Sequence, residues 1–345
     1  MSVIPNNDKN VAQLIDANLD RAREGLRVIE DWCRFGLKKK DLIKTIKNWR
    51  QQLGHNHLAI YKNARSASSD QGAGLSHPNQ TQRSNPIQIV AANFARVQEA
   101  LRVLEEFTRI SHPELSKISA TIRYELYDLE VVILKASNSQ ERLEKLNSCK
   151  LCLITKPHTN LLDTVSSALK AGVTMVQFRC KSGPDINTIE TAQELSSICK
   201  SFKSLFIIND RVDIAIASDA DGVHLGQEDL PVEMVREIIG SEKLIGLSTH
   251  SIHQIQLAEN QSCDYLGIGP IYKTSSKSYE NMLGTNFLKD LKLKRKIPWF
   301  AIGGINSINL SEVTNAGVKR IAVINAIMDS KDPYLASKEL LETLK

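Results

Sequence analysis

Two aspartates frame the stretch best suited to chemistry, Leu205–Asp229, which reads LFIINDRVDIAIASDADGVHLGQED. Asp210 follows the apolar run Leu205–Ile208, and Asp229 follows the apolar run Gly222–Leu225. Val212–Ala217 between them suits one short helix, so the pattern reads strand, helix, strand. A parallel strand pair sets both carboxylates on one rim, where a divalent cation could bridge them to a phosphorylated ligand. Taken singly, Asp210 reads equally as a helix cap and Asp229 as a turn residue. The neighbours must decide.

Gln177-Phe-Arg179-Cys-Lys181 closes another apolar run. Residues two apart on an extended strand share a side, so Gln177, Arg179 and Lys181 point one way. Two cations and an amide suit a pyrophosphate, the guanidinium as a planar fork and the ammonium as a point charge. Surface salt bridges are the plainer alternative. Asn209 precedes Asp210; Gln227 precedes Asp229; Ser248, Thr249 and His250 follow a fifth run; and Thr274-Ser-Ser-Lys277 follows a sixth. AIGGI ends a seventh run in Gly303-Gly304, which lets backbone N–H groups approach a ligand closely. VINAI ends an eighth with Asn325.

The elements that would position these groups come next. From Lys150 onward eight apolar runs alternate with amphipathic stretches: 151–154, 174–178, 205–208, 222–225, 244–247, 264–268, 298–302 and 320–324. Eight β/α units in the last 195 residues predict a TIM (β/α)8 barrel, whose active site lies past the C-terminal strand ends and whose seventh and eighth loops often hold phosphate. An open doubly wound sheet is the rival, weakened by the lack of GxGxxG after the first strand. The overall expectation is an α/β chain with an all-α domain over 1–140 and the barrel over 141–345.

Composition permits this. The 345 residues are 42% apolar and 24% charged, with a formal net charge of +5. That charge is slight and comes with no nucleic-acid motif, and no apolar run is long enough to span a membrane. The N-terminus MSVIPNNDKN lacks an apolar leader core, so a cytoplasmic enzyme is expected. The six cysteines show no disulfide framework, and Cys149-Lys-Leu-Cys152 has zinc-like spacing but no second pair; buried thiols are the plainer reading.

The first 140 residues repeat themselves at an offset of 75: Asn18, Arg21, Glu24, Leu26, Arg27, Val28 and Glu30 recur as Asn93, Arg96, Glu99, Leu101, Arg102, Val103 and Glu105. Both copies are amphipathic, and each is followed by a second helical pattern, Leu42–Leu53 and Glu114–Leu134, predicting four helices in two similar pairs. Asn18 and Asn93 fall on the apolar face. They either pair with each other or with backbone, or line a pseudo-symmetric ligand pocket with Arg21 and Arg96. Between the pairs, Lys62–Pro86 is nearly free of large apolar residues; Arg65, Ser66, Ser68, Ser69 and Asp70 could grip phosphate and metal there, and plain disorder fits equally. His55-Asn-His57 is a metal cue without a third ligand. Ser137–Ser148 is a helix extension or a linker.

At VQFRCK, FIINDRVDIAI, DGVHLGQED, GLSTHS, DYLGIGPIYKTSSK, AIGGI and AVINAI, ordered over Leu151–Ile327, the chain resembles thiamine phosphate synthase. The resemblance implies a Mg²⁺-dependent transferase that joins hydroxymethylpyrimidine diphosphate to a thiazole phosphate (or its carboxylate) and releases pyrophosphate by a dissociative route. It implies that Gln177, Phe178, Arg179, Cys180, Lys181 and Asn209 meet the pyrimidine diphosphate, and that Asp210 and Asp229 bind Mg²⁺. Ser248 would contact the pyrimidine or its leaving group. Thr274, Ser275, Ser276, Lys277 and Gly304 would meet the phosphates and thiazole, with Ile324 and Asn325 completing the site. Arg179, Lys181, Lys277 and Ser248 would be the catalytic set. Ser276 stands where the family commonly has threonine, and Asn325 where it has serine. The helical half is similar to a domain found ahead of the synthase in cyanobacterial-type chains and to a family associated with hydroxymethylpyrimidine phosphate kinase activity. Rivals are a thiazole tautomerase or phosphosugar epimerase for the barrel, and a structural module for the helices; homo-oligomerisation stays open.

Overall fold

Eight short strands hydrogen-bond in parallel and in sequence order, and β8 returns to β1, so the sheet closes into a barrel. They are β1 (Leu151–Ile154), β2 (Met175–Phe178), β3 (Leu205–Asn209), β4 (Gly222–Leu225), β5 (Leu244–Thr249), β6 (Tyr265–Ile268), β7 (Trp299–Ile302) and β8 (Ile321–Val323). Each lies within two residues of an apolar run in the sequence. The computed structural model describes residues 6–66, 82–83, 85–274, 281–291, 293 and 296–345, and the chain divides into two compact units, Met1–Gln140 and Glu141–Lys345.

The strands are apolar on both faces because both are covered. Cys152, Met175, Leu205, Ile207, Leu244, Tyr265 and Phe300 fill the interior. Their sequence neighbours Leu153, Val176, Phe206, Ile208, Ile245 and Leu266 face the surrounding helices. Space inside is tight. A Cβ on Gly246 would stand 2.2 Å from the Tyr265 ring and 2.4 Å from His224 Nδ1, so the glycine is what admits both rings.

The first unit contains α1 (Asn6–Asp31) with a π-helical turn at Trp32–Leu37, α2 (Lys40–His55), a short α3 (Ala59–Ala64), α4 (Pro86–Phe107) and most of α5 (Pro113–Ser148). The duplicated helices are α1 and α4. Ile15, Leu19, Ala22, Leu26 and Ile29 share one core with Val90, Phe94, Val97, Leu101 and Leu104. At Gly25 a Cβ would lie 2.5 Å from Val97 Cγ2, so the glycine sets how closely the two helices approach. Asn85 caps α4 by accepting from Gln88 N, with Pro86 in the first turn, a favourable helix start. Helix α5 runs on through Ser137–Ser148.

Symmetry extends to electrostatics. Glu30 pairs with Arg50 and Glu105 with Arg123, each acid on a duplicated helix and each arginine on its following helix. The amides of Asn18 and Asn93 donate to Leu14 O and Ile89 O one turn back, at 2.9 and 2.8 Å. They satisfy themselves on their own helices, which favours the backbone-pairing account over a ligand pocket. Of the Lys62–Pro86 segment, residues 67–81 and 84, including Ser68, Ser69 and Asp70, lie outside the described residues.

Candidate active site

The strand ends converge on a cavity of 720 Å³ at the mouth of the barrel. Alternation along β2 decides who reaches it. Gln177 and, beyond the strand, Arg179 and Lys181 line the cavity. Phe178 turns out into the core beneath the helices, and Cys180 turns its thiol toward Ser182 O at 3.1 Å. The side chains of Phe178 and Cys180, expected among the substrate contacts, are therefore not brought to the mouth; period two excludes them. Gln177 Nε2 donates to Asn209 Oδ1 at 2.7 Å, which ties the tip of β2 to β3, and Arg179 N donates to Thr155 Oγ1 at 3.0 Å, which ties it to the end of β1.

Asp210 sits just past β3 with φ of 63°, left-handed backbone that non-glycine residues adopt at a cost. Its N–H donates to His224 O at 2.9 Å. Asp229 is anchored by Gly226 N, which donates to its Oδ2 at 2.6 Å. The two carboxyls are in hydrogen-bonding contact. Burial, followed by that contact and the like charge of Asp229, pushes the Asp210 carboxyl up to about 6, against the pull of Lys181 and Arg179. Two carboxylates facing each other at a mouth built for a polyanion are the arrangement that a divalent cation, shared with the ligand's phosphates, fits.

Beneath Ser248 lies a relay that sequence reading did not assign. His224 Nε2 is 2.9 Å from Ser248 Oγ, and His224 Nδ1 is 3.1 Å from the Tyr265 hydroxyl. Burial pushes the imidazole down to about 4, so it is neutral at pH 7. Burial also raises the Tyr265 phenol well above its usual value, so it keeps its proton. A phenol donating to Nδ1 leaves Nε2–H to donate to Ser248 Oγ, and the serine O–H is then turned to the cavity as a donor. The only trace in the sequence is a histidine inside the otherwise apolar strand GVHL.

The opposite wall is backbone. Gly303 and Gly304 have φ of 101° and 68°, and Cβ atoms there would stand 2.6 Å from Pro270 Cβ and 2.5 Å from Lys273 O. Both the dihedral and the space demand glycine. Thr274, Gly304, Ile324 and Asn325 line this side. Asn325 Oδ1 accepts from Lys156 Nζ at 3.2 Å, a cation the sequence reading did not single out. Thr249 is fully buried and donates to Gly267 O, away from the mouth, whereas His250 lines it. Ser275, Ser276 and Lys277 lie outside the described residues. Cys149 and Cys152 are buried free thiols.

A closed (β/α)8 barrel with a carboxylate pair, a guanidinium, an ammonium and a two-glycine tip at its mouth is an enzyme framework for phosphorylated ligands. Residues 151–327 match the family model described as thiamine monophosphate synthase, and residues 13–132 match that of the ThiD2 family. A thiamine-phosphate synthase of Prochlorococcus marinus is 67% identical over 345 residues, covering all of both chains; one from Synechococcus is 53% identical over 98% of this chain and 96% of its own. The solved thiamine phosphate pyrophosphorylase of Pyrococcus furiosus superposes with a TM-score of 0.53 at 38% identity, covering 59% of this chain and 97% of that one. The chain belongs to the thiamine-phosphate synthase family and is a transferase of thiamine biosynthesis. Among the described residues no helix is long and apolar enough to cross a membrane.

Proposed function

We propose that the barrel condenses hydroxymethylpyrimidine diphosphate with a thiazole phosphate, in a Mg²⁺-dependent, dissociative reaction that releases pyrophosphate. The observation that carries this is the Asp210–Asp229 pair set against Arg179 and Lys181 at one mouth. Asp210 and Asp229 would hold Mg²⁺, and both residues fit the ion because their mutual repulsion is relieved only by added positive charge. Bound there, the ion would neutralise charge on the diphosphate as it departs.

The remaining steps belong to the chain's own groups. Arg179 and Lys181 stabilise the leaving pyrophosphate from the β2 side. Gln177 and Asn209 hold the pyrimidine end, and Ser248, turned outward by His224, donates a hydrogen bond to the pyrimidine or its leaving group. Gly304, Thr274, Ile324 and Asn325 seat the thiazole phosphate opposite. The electron-rich aminopyrimidine supports a cationic methylene, which the thiazole nitrogen captures. Little proton transfer is needed, consistent with a mouth whose buried histidine is neutral and already bonded on both nitrogens. A coupled assay supplying both phosphorylated heterocycles, with and without Mg²⁺, tests it by stoichiometric release of pyrophosphate. Product formed equally well after chelation refutes the metal role, and no product at all refutes the substrate pair.

For residues 1–140 we propose a unit with its own ligand chemistry, hydroxymethylpyrimidine phosphate kinase activity being the reaction to assay with ATP. The alternative, a structural module, predicts no phosphorylation.

A further inference from the structure

The duplication supplies an internal control. The Glu30–Arg50 and Glu105–Arg123 pairs recur in both copies and belong to the scaffold. Three charged residues break the symmetry: Asp16, Asp20 and Arg23 stand where the second copy has Ala91, Ala95 and Gln98. A helix that folds with alanine at the equivalent positions does not need those carboxylates to pack. Spaced by four and three residues, they share one face of α1, and the turn after α2 brings His57 to it.

Ligand atoms of Asp16, Asp20 and His57 all lie within 4.8 Å of one another. His57 Nε2 stands 2.6 Å from Asp16 Oδ1 and His57 Nδ1 stands 3.7 Å from Asp20 Oδ1, with the histidine side chain 1% exposed and that of Asp16 4%. Arg23, which only donates, lies 3.4 Å from Nδ1, so Nδ1 carries the lone pair and Nε2–H donates to Asp16. A carboxylate behind an imidazole whose other nitrogen faces a second carboxylate is a recurrent metal-ligand arrangement. Two ligands on one ion stand roughly 3–4 Å apart, given bond lengths of about 2.1 Å. The guanidinium of Arg65 lies across both aspartates, at 2.6 and 3.0 Å from Asp16 and in contact with Asp20. With Arg65 displaced, Arg23 alone would leave the two carboxylates a charge short. Asp20 also lines an open cavity of 350 Å³ together with Arg23, Glu24, Arg27 and Arg50, so its carboxylate is reached from solvent.

We propose that Asp20 and His57, with Asp16 orienting the imidazole, form a divalent-cation site in the helical unit, for which Arg65 is the exchangeable counter-charge. The mixed imidazole and carboxylate set suits a first-row transition ion, and Mn²⁺ is the probe. Mn²⁺ bound to the full-length chain is counted by electron paramagnetic resonance of the free ion, with Asp210→Asn and Asp229→Asn introduced to silence the barrel pair. One ion per chain is expected to remain. Adding Asp20→Asn or His57→Gln should abolish it, and adding Arg65→Ala should tighten it. Asp20 and Arg65 are part-exposed, so those variants test the site without emptying a core position, and circular dichroism checks the fold. Asp20→Asn alone should leave condensation activity unchanged. Loss of all Mn²⁺ from the barrel-silenced chain, or Mn²⁺ binding indifferent to Asp20→Asn, or weakened by Arg65→Ala, overturns the inference. If instead the barrel pair does not bind the ion, the Asp210→Asn/Asp229→Asn chain and the unaltered chain hold equal amounts of Mn²⁺, which separates that failure from this one.

Discussion

Asp210 in the barrel and Asp16 in the helical unit are both shielded carboxyls near arginine, yet they shift in opposite directions. Burial and the facing Asp229 raise Asp210 to about 6. Burial also opposes ionisation of Asp16, but hydrogen bonds from Arg65 and His57 outweigh it and hold the carboxyl below its usual value. Proximity to a cation is therefore not enough. What separates the two is the nearest partner: Arg65 bonds the Asp16 carboxylate directly, whereas Asp210 is met by the carboxyl of Asp229 and feels Arg179 through charge. At Asp16 the chain supplies an exchangeable counter-charge, Arg65, whereas Asp210 is faced by a second carboxylate.

The largest effect should come from breaking the barrel's carboxylate pair. Asp210→Ala is expected to lower Mg²⁺-dependent turnover by about a hundredfold or more, as loss of charge stabilisation at a reacting centre does, with circular dichroism unchanged; retained turnover removes Asp210 from the reaction. Next, Mg²⁺ must compete with the proton on Asp210. Below pH 6 the apparent Mg²⁺ affinity should fall by up to about tenfold per pH unit, read by calorimetric titration, and a flat profile would contradict the shared-proton picture.

Stability should carry opposite signs in the two places. The unfolded Asp210 ionises near 3.8 and the folded one only near 6, so the metal-free chain loses stability as pH rises between those values. Asp210→Asn should then raise the metal-free melting temperature at neutral pH. Asp16 contributes stability above its unfolded value of 3.8 and loses it as pH falls through its lower folded value; Asp16→Asn should lower the neutral-pH melting temperature. The same sign for both substitutions would erase the contrast. The smallest effect is expected of Tyr265→Phe, which removes one neutral hydrogen bond of about 1 kcal/mol. It should reduce kcat by at most about tenfold with KM unchanged, and it should have no effect in a Ser248→Ala background.

Much of this was readable in the chain. Eight short apolar runs separated by amphipathic stretches located the barrel, reading past them found Arg179, Asn209 and Asp210, and period-two alternation aligned Gln177 with Arg179 and Lys181. The same alternation excludes the side chains of Phe178 and Cys180, which motif continuity alone had included. His224 was hidden because it lies within a strand rather than past its end, and only barrel closure aims it at Ser248. In the helical unit, His55-Asn-His57 lacked a third ligand in sequence. His57 meets Asp16 across 41 positions, a pairing set by how α1 and α2 cross, and no local pattern encodes that angle.

The paired glycines after β7 carry a last consequence. A wall of peptide amides has no titrating group and no side chain to replace, so its hold on an anion does not change with acidity. Across the mouth, Asp210 does bring a titrating group to the same cavity. The two glycines are closed to mutational retuning as well, since an added methyl at Gly303 or Gly304 would strike Pro270 or the Lys273 carbonyl before it met a substrate.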